Sequence, residues 1–370
     1  MTREQMFSEV VQQLKKYKEA NKKIYGILAH GLVPEEIIHA ASGFPLRLSL
    51  VGDKDSASKG IEYLTSATCS FARSTIGHFD LKNALYDEIE TIIAGNYCNG
   101  ELCATEMISE YFNIPRINIV FPSAKTDSAL RFLIAELNHF KEDIERFSGI
   151  KLSEDKIAEA IKLYNNERKL MQEVVNVQRN KNYVLSGVEC LELMHHHFLY
   201  GVEASIGNLQ TTVIDLSEKT SPIEGKKIIF AGNGVPIGDN IIQLSEAQGL
   251  SVIKNLTWTG LDYYDSLVDQ NKPPLEALAD YYLNLENSGR MILSDDYFTN
   301  LAEIYKNSHA DGIIFYKVKY CSIVPSVISS KLKEILSEQN IPYVEIEREY
   351  GVNKNAQLQT RLQAFQEMIA

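Results

Sequence analysis

Two stretches of this chain follow one plan, and that duplication narrows the available folds more than any other feature. The first reads ILAHGLVPEEIIHAASGFPLRL from Ile27, the second IIFAGNGVPIGDNIIQLSEAQGLSVI from Ile228. Each is an apolar run, a Gly-containing turn, Val-Pro at the same relative place (Val33-Pro34, Val235-Pro236), a helical Ile-Ile segment and a second apolar run. Farther on, IIAGNYC ends at Cys98 and IIFYKVKYC at Cys321. A helix follows each, then an Ile-Pro step into a last strand (Ile114-Pro115, Ile341-Pro342).

Short β-branched runs alternating with longer helical patterns are the mark of an α/β chain. Strands are expected at Ile24–Ala29, Pro45–Val51, Thr91–Ala94 and Ile117–Phe121 in the first half. In the second they are expected at Lys227–Ala231, Ser251–Lys254, Gly312–Tyr316 and Tyr343–Ile346. Near-continuous apolar character in GIIF and INIVF suits strands covered on both faces, as in a parallel sheet. The expected fold is two Rossmann-like, doubly wound domains with parallel four-stranded sheets, residues 1–150 and 216–370, related by a pseudo-repeat. Residues 151–215 form a helical connector. Ser153 is its expected N-cap, with Glu154 and Asp155 where the helix dipole favours acids.

Composition narrows the function. In 370 residues the net charge is −12, which speaks against nucleic acid, whose phosphates are bound by clustered Lys and Arg. No run approaches the roughly 20 apolar residues of a membrane span. The first twenty residues read as a polar amphipathic helix rather than an export signal. Five cysteines without such a signal point to a reducing cytoplasm, with thiols free, catalytic or metal-bound.

Sites in open α/β sheets form outside the carboxyl ends of the strands. Cys98 and Cys321 each follow a third strand, and Cys69 lies in TSATCSFARSTIG after the second. Thiolates at strand ends or helix starts gain from backbone N–H groups. Three of them converging would suit an iron–sulfur cluster, although the ordinary four-cysteine spacings are absent and buried core cysteines are common. Cys103 and Cys190 read as packing residues. His30, at the end of the first strand, is a candidate acid, base or hydrogen-bond donor, and a structural role suits it equally. His195, His196 and His197 cannot chelate one ion from a regular helix, because neighbours point about 100° apart. GNGVPIG resembles a nucleotide loop, but Gly238 comes one residue late and no acid ends the next strand. P-loop, nucleophile-elbow and H-E-x-x-H motifs are absent from the sequence.

Five ordered blocks resemble the family of 2-hydroxyacyl-CoA dehydratase and benzoyl-CoA reductase subunits: VPEEIIHAASGFPLRL, CSFARSTIG, NYCNGEL, DGIIFYKVKYCSIVPSVISSKLKE and VEIEREYGVNKNAQLQTRLQAFQEM. The resemblance runs from about Ile24 onward and is nearest to the smaller, β-type subunit. It implies a [4Fe-4S] cluster on Cys69, Cys98 and Cys321, a related partner subunit in a heterodimer, an acyl-CoA substrate and activation by a separate ATP-dependent iron–sulfur protein. In the chemistry it implies, one added electron lets a 2-hydroxyacyl thioester expel its hydroxyl and makes the β-proton acidic, giving a 2-enoyl-CoA. His30, Glu35 and Arg73 are the candidate catalytic residues. Trp258 stands where some relatives carry a further cysteine, and Asn99 where the family has Asp after its second cysteine. The resemblance does not fix the acyl group. It also leaves open whether the cluster binds substrate or relays electrons.

Two other readings stand beside it: a subunit of a benzoyl-CoA-reductase-type enzyme, and a metal-free two-lobed protein closing on a small ligand. Arg73, one turn after Cys69, is expected either to act on the cluster or to be a solvated or ion-paired arginine. Arg361 is expected to hold the loop around Glu347 and Glu349.

Overall fold

The eight apolar runs form eight strands, because seven carry β-branched residues over the few positions that a strand needs and β2, Phe-Pro-Leu-Arg-Leu, is held by large apolar side chains instead. This computed structural model describes residues 3–28, 32–51, 54–96, 98–285, 295–322, 324, 328–351 and 355–370. In the first lobe β1 (Ile24–Leu28), β2 (Phe44–Leu48), β3 (Thr91–Gly95) and β4 (Arg116–Ile119) lie in the order β2-β1-β3-β4, all parallel. In the second, β5 (Lys226–Gly232), β6 (Leu250–Asn255), β7 (Gly312–Val318) and β8 (Tyr343–Arg348) repeat it as β6-β5-β7-β8. Each chain half therefore winds first to one side of its opening strand and then to the other. That reversal opens a crevice at the carboxyl ends of β1 and β3, and of β5 and β7.

Helices of the first half are α1 (Arg3–Glu19), α2 (Glu35–Ala40), α3 (Lys54–Lys59), α4 (Ser70–Asp80), α5 (Asn99–Phe112) and α6 (Asp127–Ser148). The connector is α7 (Glu154–Asn180) and α8 (Gly187–Glu218). The second half adds α9 (Ile241–Glu246), α10 (Pro274–Asn284), α11 (Asp295–Ser308), α12 (Ile328–Glu338) and α13 (Asn355–Met368). No helix of the described residues is long and apolar enough to cross a membrane.

β2 stops at Leu48, short of the expected Val51, because the chain there turns to the other lobe. Ile237 N–H donates to Ser49 O and Val51 N–H to Ile237 O, each at 2.9 Å. The apolar core crosses the same boundary: Leu28, Leu46 and Ile76 of the first lobe share one cluster with Ile228, Phe230 and Tyr316 of the second. At roughly 1.5–3 kcal/mol per buried large side chain, that shared core holds the lobes together.

Ser153 caps α7 as expected, its Oγ accepting from Lys156 N–H at 3.3 Å. α8 is not one straight rod. Glu189 and Lys219 form an ion pair at 2.8 Å, whereas 30 helical residues would span about 45 Å. The chain folds back at Gly201, whose φ is +77° and where a Cβ would lie 2.8 Å from the Phe44 ring. Glycine meets both demands. α10, from the second half, packs on α6 of the first. Its Tyr282 hydroxyl donates to Val33 O and Glu36 Oε2, both at 3.1 Å.

Candidate functional site

Three loops, one after each of β2, β3 and β7, bring cysteines to a single cavity between the lobes. Cys69 is the N-cap residue of α4, Cys98 that of α5, and Cys321 follows the turn after β7, its N–H donating to Val318 O at 3.1 Å. They line the cavity with Phe71, Asn233, Trp258, Val318 and Tyr350, around about 340 Å³ of empty space that is partly open to solvent.

Each sulfur lies near hydrogen-bond donors. The N–H groups of Phe71 and Ala72 at the start of α4 favour the Cys69 thiolate and that of Glu101 the Cys98 thiolate, although neither side chain makes a capping hydrogen bond. Cys321 Sγ accepts from Val324 N–H at 3.4 Å and from Asn233 Nδ2 at 3.3 Å. Cys98 Sγ stands 3.7 Å from Ser322 Oγ. Against those donors, burial pushes the Cys69 thiol up to about 11, with the neighbouring Cys321 and Glu101 adding to it. Burial, then Glu101 and Cys69, push Cys98 well above the ordinary thiol range. Glu101 is itself raised by burial, with the Arg47 charge opposing. The Cys69 and Cys98 thiols thus keep their protons at neutral pH, and a cation in the cavity is what would release them.

This donor set fits an iron–sulfur cluster held by three thiolates: soft ligands, two of them at helix starts, N–H donors on Cys321 and a largely apolar wall. Among the described residues no three His, Cys, Asp or Glu side chains are placed to hold a single metal ion, the cysteine triad included. A cluster spreads its thiolates wider than one ion does.

Of the other sequence candidates, His30 lies outside the described residues. Glu35 is buried away from the cavity, where it binds Arg47 Nε and accepts from Tyr164 Oη at 3.2 Å. Burial would raise its pKa, but Arg47, His197 and Tyr164 outweigh it and hold the carboxyl below its ordinary value. Arg73 is also buried and off the cavity wall, with Nε donating to Thr68 O at 2.9 Å and Nη2 pairing with Glu349. Arg361 does not hold Glu349. It is exposed and donates to the backbone O of Glu345 at 2.7 Å. Of the histidine run, His195 and His196 are half-buried, and His197 is buried with Nδ1 2.7 Å from Glu167. Cys190 is remote, accepting from Gln178 Nε2 at 3.6 Å, and burial pushes its thiol up to about 12. Cys103 and Asn99 are exposed. Sequence reasoning missed Asn233 and Tyr350 as wall residues, and Glu101 behind Cys98. The one signal for Asn233 was the glycine pair around it.

The family model described as 2-hydroxyglutaryl-CoA dehydratase, D-component, matches residues 31–369. Curated relatives include the (R)-phenyllactyl-CoA dehydratase beta subunit of Clostridium sporogenes, 25% identical over 98% of this chain and 97% of that protein. A benzoyl-CoA reductase subunit of Thauera aromatica is 24% identical over 90% and 86%. The beta subunit of (R)-2-hydroxyglutaryl-CoA dehydratase of Acidaminococcus fermentans is 22% identical over 96% and 95%. With nearly its whole length matched, the chain belongs to the 2-hydroxyglutaryl-CoA dehydratase D-component family and is an enzyme subunit of the dehydratase kind.

Proposed function

We propose that this chain is the β-type subunit of a 2-hydroxyacyl-CoA dehydratase, that Cys69, Cys98 and Cys321 hold a [4Fe-4S] cluster in it, and that it works in the cytoplasm. A related subunit would complete the heterodimer, and a separate ATP-dependent iron–sulfur protein would activate it by one electron. The observation that carries this reading is the meeting of three cysteines from both lobes in one cavity, two of them at helix starts and the third accepting from two N–H donors. When bound, the cluster would supply one-electron chemistry and Lewis-acidic iron.

The chain's own residues do the rest. Phe71, Trp258, Val318 and Tyr350 give the cavity an apolar wall that limits water. Tyr350 Oη is engaged by Gly234 O at 2.7 Å, and burial, ahead of nearby anionic groups, holds its pKa well above the ordinary value. Among the described residues lining the cavity, Tyr350 and the thiols are the groups that carry a transferable proton, with no carboxylate or imidazole beside them. Glu35 and Arg73 then act by holding the fold around the thiols.

Similarity to a benzoyl-CoA reductase subunit supports a second reading, electron delivery to an aromatic-ring reductase. The test is anaerobic purification with the partner subunit, iron and sulfide analysis, and activity with the activator on a panel of 2-hydroxyacyl-CoA and aromatic acyl-CoA thioesters. About four iron and four sulfide per chain and turnover of a hydroxyacyl thioester are expected. Absence of both iron and sulfide would leave only a metal-free binding protein. Turnover confined to the aromatic thioester would favour the reductase.

A further inference from the structure

The segment Gly232-Asn233-Gly234, unsuited to a nucleotide, has a different task. Gly232 has φ +96°, and a Cβ there would lie 2.3 Å from Tyr316 O. At Gly234 a Cβ would lie 2.4 Å from the Trp258 indole. Both positions therefore require glycine, and they fix the residue between them.

Asn233 is held at three points. Its N–H donates to Tyr316 O at 2.8 Å, its Oδ1 accepts from Val318 N–H at 2.8 Å, and its Nδ2 donates to Cys321 Sγ at 3.3 Å. The Val318 N–H needs an acceptor, so the carboxamide oxygen must face it and the NH₂ must face the sulfur. Asn96, which likewise follows the last glycine of a strand, behaves differently. Both its amide atoms bind the Phe121 backbone, at 3.0 and 2.8 Å, which turns the amide to β4's end rather than to a sulfur. The amide orientation at Asn233 is thus aimed at one sulfur.

We propose that Asn233 is a positioning residue that sets the electron density at Cys321 Sγ, and through it the reduction potential of the cluster bound there. The assignment rests on the cluster reading above. A donor on a thiolate sulfur stabilises the more negative, reduced state and raises the potential. Val324 N–H remains as a second donor, so loss of Asn233 weakens the effect without abolishing it.

Two variants separate this from mere support of the loop. Asn233→Asp keeps an acceptor for Val318 N–H and replaces the donor by a negative charge. Asn233→Ala removes both without adding charge. The full chain with its partner subunit, reconstituted anaerobically, is titrated with a low-potential reductant and followed by electron paramagnetic resonance, with iron content and melting temperature measured alongside. Asn233→Ala should lower the equilibrium constant for one-electron reduction about tenfold, or about 59 mV. Asn233→Asp should lower it further, and the spectrum of the reduced cluster should shift in both. Wild-type potential and spectrum in either variant would overturn the assignment. So would lower iron content and melting temperature in which the remaining cluster keeps its wild-type potential. A wild-type chain that binds no iron overturns the cluster reading and this assignment together, which tells the two failures apart.

Discussion

Both lobes bury an acid–arginine pair just after Val-Pro, yet the two pairs are built into the molecule differently. In the first lobe Glu35 binds Arg47, and the adjacent Glu36 binds Arg168. Tyr164 and His197 close on Glu35, at 3.2 and 3.7 Å, and Tyr282 closes on Glu36 at 3.1 Å. These groups come from α2, β2, α7, α8 and α10, and the four charged partners are 7% exposed or less. In the second lobe Asp239 binds Arg348 and accepts from Tyr316 Oη at 3.0 Å, with part of the Arg348 side chain still exposed. That network stays on its own lobe's strand ends. The next residues, however, reach across: Glu349 pairs with Arg73, and Tyr350 N–H donates to Ser70 Oγ at 2.9 Å. The first network anchors the connector helices to the lobe that carries two of the thiols. The second lies next to the contacts that bring the third thiol up to them.

The comparison predicts unequal costs. Arg168→Met leaves Glu36 buried without its cation and should lower stability by about 3–5 kcal/mol, read from denaturant midpoints. Next comes the sulfur set. If both lobes hold one cluster, Cys98→Ser and Cys321→Ser should each weaken iron binding beyond the roughly 10–100-fold that losing an outer partner costs. Iron retained in one of these variants and lost in the other would show that the lobes do not share a single site. Asp239→Asn keeps an acceptor for Tyr316 and removes one charge at the less enclosed pair. It should cost about 1–2 kcal/mol. A loss equal to that of Arg168→Met would break the distinction between the two networks.

Much of this was legible in the sequence for a definite reason. The inner strands β1, β3 and β7 are apolar runs buried on both faces of parallel sheets, and the carboxyl ends of β2, β3 and β7 lead to the loops that place Cys69, Cys98 and Cys321 together. What was not legible depends on contacts between distant segments. Arg73 meets Glu349, 276 residues away, and no local spacing announces such a pair. Arg361 looked suited to the last loop, but α13 packs on β8 so that its guanidinium donates to the Glu345 carbonyl within the strand. Helical spacing showed that the three histidines point apart; it did not show that His197 would face Glu167 and Glu35 in a sealed interior. The turn at Gly201 was hidden too, because a lone glycine in a helical pattern reads as a small penalty rather than a reversal.

The smallest expected effect is a difference in pH dependence between the two networks. At His197 burial lowers the pKa, but the Glu167 carboxylate at 2.7 Å, with Glu35 beyond it, outweighs burial and holds the imidazole above its ordinary 6.5. A raised folded value means that the protonated form is favoured in the native state. Its contribution is complete below 6.5 and is lost as pH rises through the folded value. Glu35 runs the other way: its pKa lies below the ordinary 4.5, so its contribution is present above 4.5 and is lost as pH falls through the folded value. The first lobe should therefore lose stability at both ends, and the alkaline limb belongs to His197. Its slope is at most about 1.4 kcal/mol per pH unit for a single proton. Urea unfolding in steps from about pH 6 to 9 should show His197→Gln flattening that limb, and Asp239→Asn leaving it in place because no histidine is among the partners of Asp239. An alkaline slope that survives in His197→Gln would mean the imidazole stays neutral beside Glu167, and the first network would then carry one positive charge fewer than the comparison assigns to it.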